Sequence, residues 1–183
     1  MVVALVLTAC GGGGESTTTA PAATASAGPT ATAAAGKLST CVLTLEDVKR
    51  LTGVAFTEVD DKPDESSPNC GYRIPPDLGN FFYVNLDRYS GETAKSVFAK
   101  SKGPSALGPR RQEPTDLPGL GDEAFWYVPV PAGTSKEDEV RVEIRRGRDI
   151  IQINVRLIGL PQEKEFEAAT KGAKEVLAKL PAD

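Results

Sequence analysis

The sequence predicts an α+β head: a mostly antiparallel sheet with helices packed on it, in the order α-β-β-β-α-β-β-β-α. Three observations carry this prediction. Residues 139–158 alternate in the manner of a hairpin, residues 161–180 repeat apolar side chains at helical spacing, and a capped helix opens just after Cys41. If Gly147-Arg148 is the hairpin's two-residue turn, Ile144 falls opposite Ile151, Val142 opposite Ile153 and Val140 opposite Val155. All six then share one face, while Glu143 meets Gln152 and Arg141 meets Asn154 on the other.

The elements follow in order. Thr44 begins a capping signal with Asp47, the stripe Leu45, Val48, Leu51 follows, and Gly53 is a natural stop, so a first helix is expected over 44–52. Ala55 to Val59 reads as a weak strand, and Asp60 to Asn69 as an acidic loop. Cys70 to Ile74 and Phe81 to Asp87 read as strands, the latter with Phe82, Val84 and Leu86 on one face. Ser90 is placed to cap a helix over 91–101 with the stripe Ala94, Val97, Phe98. A polar connection then runs to Gly121, followed by a strand over Ala124–Val130. In the last helix Phe166, Ala169, Ala173, Val176 and Leu180 make the apolar stripe, suited to lying on the hairpin's apolar face.

Ahead of this head, from about Lys37 to Asp183, the chain has a different character. Val2 to Leu7 is an unbroken apolar run, too short to span a membrane and followed by small residues, as in a secretory signal over residues 1–9. The basic residues that open such a signal are missing, so the natural start is expected upstream of Met1. Leu7-Thr8-Ala9-Cys10 has the form of a lipobox, in which Cys10 receives a diacylglyceryl group and becomes the mature N-terminus. Residues 11–36 contain only Gly, Ala, Ser, Thr and Pro apart from Glu15. They hold no large apolar side chain to repay ordering, and read as a tether spanning roughly 25–30 Å. Its Thr and Ser beside Pro suit O-glycans.

Composition excludes several kinds of function. The net charge is −4, with no basic excess for nucleic acid. There is no histidine, which removes Ser–His and Cys–His nucleophiles, the usual proton shuttle and imidazole metal ligands. Cys41 and Cys70, once exported, are expected to form a disulfide. The alternatives are a metal site, which needs two more ligands, and a redox pair, which normally has C-x-x-C spacing.

Four features compete for a functional role. Leu117-Pro118-Gly119-Leu120-Gly121-Asp122-Glu123-Ala124 is glycine-rich but matches no phosphate-loop spacing, and reads as a tight turn whose Asp122 bonds local amides. Asp60, Asp61, Asp64 and Glu65 offer oxygens for calcium without the D-x-D-x-D-G order. Arg145, Arg146 and Arg148 cluster at the hairpin tip, placed to touch anionic lipid or wall polymer, and Phe81, Tyr83, Phe125, Trp126 and Tyr127 are aromatics suited to a groove. The candidate ligand or partner contacts are therefore Tyr83, Trp126, Tyr127, Arg146 and Arg148.

Taken together, Cys10, the tether, Cys41 before its helix, Cys70-Gly71-Tyr72 and Gly119-Leu120-Gly121-Asp122-Glu123-Ala124 resemble a family of small lipoproteins of unknown function from actinobacteria and related high-GC bacteria. The resemblance implies an extracytoplasmic α+β head with one disulfide and carries over no catalytic residues. The element order is also similar to that of Mog1/PsbP-like interaction domains, an analogy of fold. The expected function is non-catalytic binding on the outer face of the membrane, with the membrane itself engaged through Cys10 and the further partner a protein, lipid or wall component. A carrier of lipid or another apolar ligand is the alternative. An enzyme would have to rely on Asp, Glu, Lys, Tyr or a bound metal, and no cofactor is expected.

Overall fold

A computed structural model of the chain describes residues 39–75, 79–104, 108–130 and 139–181. The segments expected to be a signal (1–9) and a tether (11–36), with Cys10 between them, lie outside the described residues. Three helices and seven strands alternate along the described chain: α1 (Leu45–Thr52), β1 (Glu58–Lys62), β2 (Asn69–Arg73), β3 (Phe81–Arg88), α2 (Gly91–Ser101), β4 (Arg110–Asp116), β5 (Glu123–Pro129), β6 (Val140–Arg146), β7 (Asp149–Arg156) and α3 (Gln162–Lys179). The strands form one antiparallel sheet in the order β1-β2-β3-β7-β6-β5-β4. The α+β class and the succession of elements are those the sequence predicts, with one strand added.

The local signals act as expected at the helix ends. The Thr44 hydroxyl accepts from the Asp47 amide at 3.1 Å, and the Thr44 amide donates to the Asp47 carboxylate at 3.0 Å, a reciprocal capping box. Gly53 closes α1 in the left-handed region at φ 75°, donating to the Lys49 carbonyl at 2.8 Å. At α2 the Ser90 hydroxyl pairs with the Thr93 hydroxyl at 2.6 Å and makes no side-chain cap to the backbone.

The hairpin register is the predicted one: Val140 faces Val155, Val142 faces Ile153 and Ile144 faces Ile151. β3 adds Phe82, Val84 and Leu86 to the same face, and all nine side chains are buried. α1 and α3 cover that face with Val48, Leu51, Ala169, Ala173 and Val176. α3 lies close because Gly172 sits on Phe82; a Cβ at Gly172 would stand 2.5 Å from Phe82 Cζ. α2 packs on the opposite face, where Phe98, Phe125, Tyr127 and Ile150 form a second, smaller cluster.

Two edge elements differ from the prediction. The first strand is Glu58–Lys62 rather than 55–59, because its pairing with β2 sets Asp60 against Gly71 and Asp61 against Cys70. Asp60 and Asp61, read as loop, thus belong to an exposed edge strand, while Asp64 and Glu65 stay in the connection to β2. In the segment read as a connection, Arg110–Asp116 pairs with β5 through two register shifts. It carries charges and Pro114, residue types that blunt an edge against further strand pairing and hide it from a search for alternation.

Cys41 and Cys70 form a disulfide with Cα atoms 5.1 Å apart, across 29 positions of sequence. Beside it the Thr40 hydroxyl donates to the Val84 carbonyl at 3.1 Å, and the Tyr72 hydroxyl to the Leu43 carbonyl at 2.8 Å. Burial pushes the Tyr72 phenol up to about 12. The segment leading into α1 is thereby fixed to β2 and β3.

Two outcomes follow. Cys41→Ser/Cys70→Ser lowers stability by about 3–4 kcal/mol, the value of closing a loop of this length, read as a reduced urea midpoint. Gly172→Ala lowers the thermal midpoint, since overpacking costs about 1–3 kcal/mol against about 1 returned by helix propensity. A raised midpoint would contradict the tight α3–Phe82 approach.

Candidate binding surfaces

The five residues that the sequence nominates for contact do not converge. Strand alternation sends Trp126 and Tyr127 to opposite faces of the sheet. The Trp126 ring packs 4.4 Å from that of Phe166 on α3. Tyr127 is only 2% exposed, lies under α2 beside Phe125, and donates its hydroxyl to Glu143 Oε1 at 3.3 Å. Tyr127 is a core residue, which corrects its nomination as a contact. Tyr83 is half-buried on the α2 side, with its ring over Gly71 and 5.0 Å from that of Phe81.

The arginines at the hairpin tip divide three ways. Arg146 donates Nη1 to the Leu177 carbonyl at 3.0 Å and Nη2 to the Pro181 carbonyl at 2.7 Å. These are groups the end of α3 leaves without helical partners, so Arg146 caps that helix. Arg148 is exposed in the turn, where its carbonyl accepts from the Tyr89 amide at 3.0 Å. Arg145, which the sequence groups with Arg146 and Arg148 as placed to touch anionic lipid or wall polymer, is instead buried and organises the glycine-rich motif. Its Nη1 donates to Asp122 at 2.6 Å and its Nη2 to Glu123 at 2.9 Å.

That motif is a brace between two hairpins. The Leu117 amide donates to the Ala124 carbonyl at 2.9 Å and closes the turn. Gly121 takes φ 58°, and a Cβ there would stand 2.5 Å from the Arg145 carbonyl. The Asp122 amide donates to that same carbonyl at 2.8 Å, while the Asp122 carboxylate accepts from the distant Gly147 amide at 2.9 Å. The expected tight turn is present, but Asp122 bonds the neighbouring hairpin rather than local amides. The sequence held one signal for this, the pairing of Glu123 with Arg145, legible only once β5 is known to lie beside β6.

The acidic segment is likewise dispersed. Asp64 accepts from the Ser66 amide at 2.8 Å and the Ser67 amide at 3.0 Å, an Asx turn, while Asp61 receives the Ser39 hydroxyl at 3.0 Å. Among the described residues no group of three or more His, Cys, Asp and Glu is arranged to hold a metal ion.

A cleft of about 180 Å³ runs between α2 and the sheet, lined by Asp87, Tyr89, Ser101 and Glu143 among others. Glu143 is 6% exposed and accepts at 3.3 Å from Tyr127 and from Gln152. Burial pushes its carboxyl above the usual range, only partly offset by Ser101, Gln152, Tyr127 and Arg141. A groove of about 520 Å³ lies between the end of α1 and the start of α3. Leu51, Val54, Ile158 and Leu160 give it apolar walls, with Arg50, Lys164 and Lys171 around it. Glu167 accepts from Lys171 at 2.6 Å and Lys164 at 3.0 Å, which hold its carboxyl down to about 2.

Glu143 dictates a pH dependence. A carboxyl whose folded pKa exceeds its unfolded one binds protons more tightly in the native state, so stability is greatest below the unfolded value. It therefore falls as pH rises from about 4.5 through the raised folded pKa. Glu143→Gln, a neutral isostere, removes this decline. Denaturant midpoints measured across that window check it, and an identical slope in the variant would refute the assignment.

No protein-family model matches the chain, and no curated protein is detectably similar to it, so the functional reading rests on the chain's own chemistry.

Proposed function

We propose that this chain is a lipid-anchored envelope protein whose head is a non-catalytic binding module on the extracytoplasmic face of the membrane. The observation that carries the reading is the division of the three cysteines. Cys41 and Cys70 are joined, a bond that persists in oxidising compartments, and Cys10 stands in the lipobox sequence Leu7-Thr8-Ala9-Cys10. One thiol is thus left for acylation, ahead of a stretch whose composition suits a tether. The resemblance to small actinobacterial lipoproteins points the same way.

Binding is favoured over transport of an apolar ligand by the closeness of the layers. Gly172 rests on Phe82, so α3 and the sheet are in direct contact where a lipid carrier would hold its cargo. The absence of histidine favours binding over catalysis.

The test has two parts. The gene with its upstream region, expressed in a lipoprotein-processing bacterium fed labelled palmitate, yields a labelled, membrane-bound chain; Cys10→Ser loses the label and becomes soluble. An unlabelled wild-type chain overturns the anchor. Native mass spectrometry of the head recovered from its host then shows a stoichiometric protein or wall fragment, whereas co-purified lipid supports the carrier instead.

A further inference from the structure

We propose that the end of the sheet where β3 begins and β7 finishes is a membrane-docking face, and that it seats on a bilayer surface rich in anionic lipid. The proposal rests on reading Cys10 as a lipid anchor.

The distribution of exposed apolar side chains is the first support. Four large ones stand between 41% and 45% exposed among the described residues: Val59, Val130, Ile158 and Leu160. The strand register places all four at one end of the sheet, spread across its width from β1 at one edge to the end of β5 near the other. Glu58 pairs with Arg73, Arg73 with Phe81 and Phe81 with Arg156, so β1 begins at the edge where β7 finishes. Ile158 and Leu160 follow β7 directly, and Val130 follows β5 beside the first residue of β4. Gln162 donates to Gln112 at 3.2 Å, tying the start of α3 to β4. The opposite end holds the Gly147-Arg148 turn with Asp116, Asp122 and Glu123, and none of these four. Scattered exposed aliphatics are ordinary, but gathered at one end they mark a surface.

Charge is the second support. Arg50, Lys164 and Lys171 surround the groove that Ile158 and Leu160 help to form; Arg50 is paired with Glu175 at 2.8 Å and Asp47 at 3.2 Å, and the two lysines with Glu167. Glu167 is shared by both lysines, so one positive charge is left over, and such exposed pairs exchange partners at little cost. Aliphatic tips ringed by long cationic side chains are the chemistry of an interfacial binder: the tips enter the acyl boundary and the cations reach lipid phosphates.

Reach is the third. By composition residues 11–36 suit a flexible tether, and a tether with an r.m.s. span of roughly 25–30 Å gives an effective concentration on the order of millimolar at the anchored surface. Contacts too weak to recruit a free protein suffice to seat a leashed one.

The test uses the full chain carrying Cys10→Ser, so that no acyl group contributes, and vesicles either of phosphatidylglycerol and phosphatidylcholine in equal parts or of phosphatidylcholine alone. At low salt the chain sediments with the anionic vesicles, about tenfold less with the neutral ones, and salt weakens the binding. Ile158→Asp/Leu160→Asp and Lys164→Glu/Lys171→Glu each reduce the bound fraction about tenfold, with circular dichroism and thermal midpoint unchanged. No binding to anionic vesicles, or equal binding to both kinds, overturns the proposal. Arg148→Glu leaves binding intact; a loss matching that of the lysine pair would place contact at the other end and overturn it too. Because Cys10 is already replaced, failure here is distinct from failure of the palmitate experiment, which bears on the anchor alone.

Discussion

Across the β6–β7 ladder Ile144 faces Ile151, Val142 faces Ile153 and Val140 faces Val155, and this contact decides where the remaining elements go. It sets a wholly aliphatic face at the middle of the sheet, which β3 widens with Phe82, Val84 and Leu86. Such a face has to be covered, and α3 reaches it with alanines and a glycine at the points of closest approach. The same alternation fixes the far side. Period two sends Glu143, Arg145 and Ile150 away from the aliphatic face, where Ile150 is met by Phe98 of α2 and Arg145 by Asp122 and Glu123. A slip of one residue would drive Glu143 and Arg145 into the aliphatic core, so the register is held by two penalties at once.

What the sequence disclosed follows from how local each cause is. The capping box of α1, the Gly147 turn and the stripe of α3 are short-range patterns, and each appears at its expected place. β1 and β4 are strands for a different reason: neighbours already in the sheet offer them hydrogen bonds. Their described side chains, Arg110 apart, are partly or fully exposed on an edge, so polar residues, Pro114 and irregular register cost little, and the alternation that marks a buried strand is missing. Roles of side chains were legible only as far as faces were. Trp126 and Tyr127 are neighbours in sequence and lie on opposite sides of the sheet, while Arg145 and Arg146 part in the same way, one to the carboxylates of the next hairpin and one to the last turn of α3.

The ends of the sheet are chemically unlike, and the connections make them so. At one end the turns are tight and polar, locked by Asp122 and Arg145. At the other, β7 runs into Ile158-Gly159-Leu160 before α3 can start, and the groove beside α1 stays open because the left-handed Gly53 has no side chain to fill it. Polar closure needs a particular residue at each position, whereas an apolar, cationic rim needs only the right kind of side chain nearby.

That contrast explains why the most conspicuous motif and the proposed contact surface are different parts of the molecule. Gly119-Leu120-Gly121-Asp122-Glu123-Ala124 stands out because its work is directional: a glycine where a Cβ would strike the Arg145 carbonyl, and a carboxylate aimed at the Gly147 amide. Those demands fix residue types at fixed spacing, which is what makes a motif. A bilayer surface is recognised through burial of aliphatic groups and through Coulomb attraction, both almost indifferent to angle. Arg50 lies more than a hundred positions before Ile158, Lys164 and Lys171, and the fold alone assembles them. A surface selected by forces of that kind leaves no motif, and becomes visible only when the register has shown which strand ends lie together.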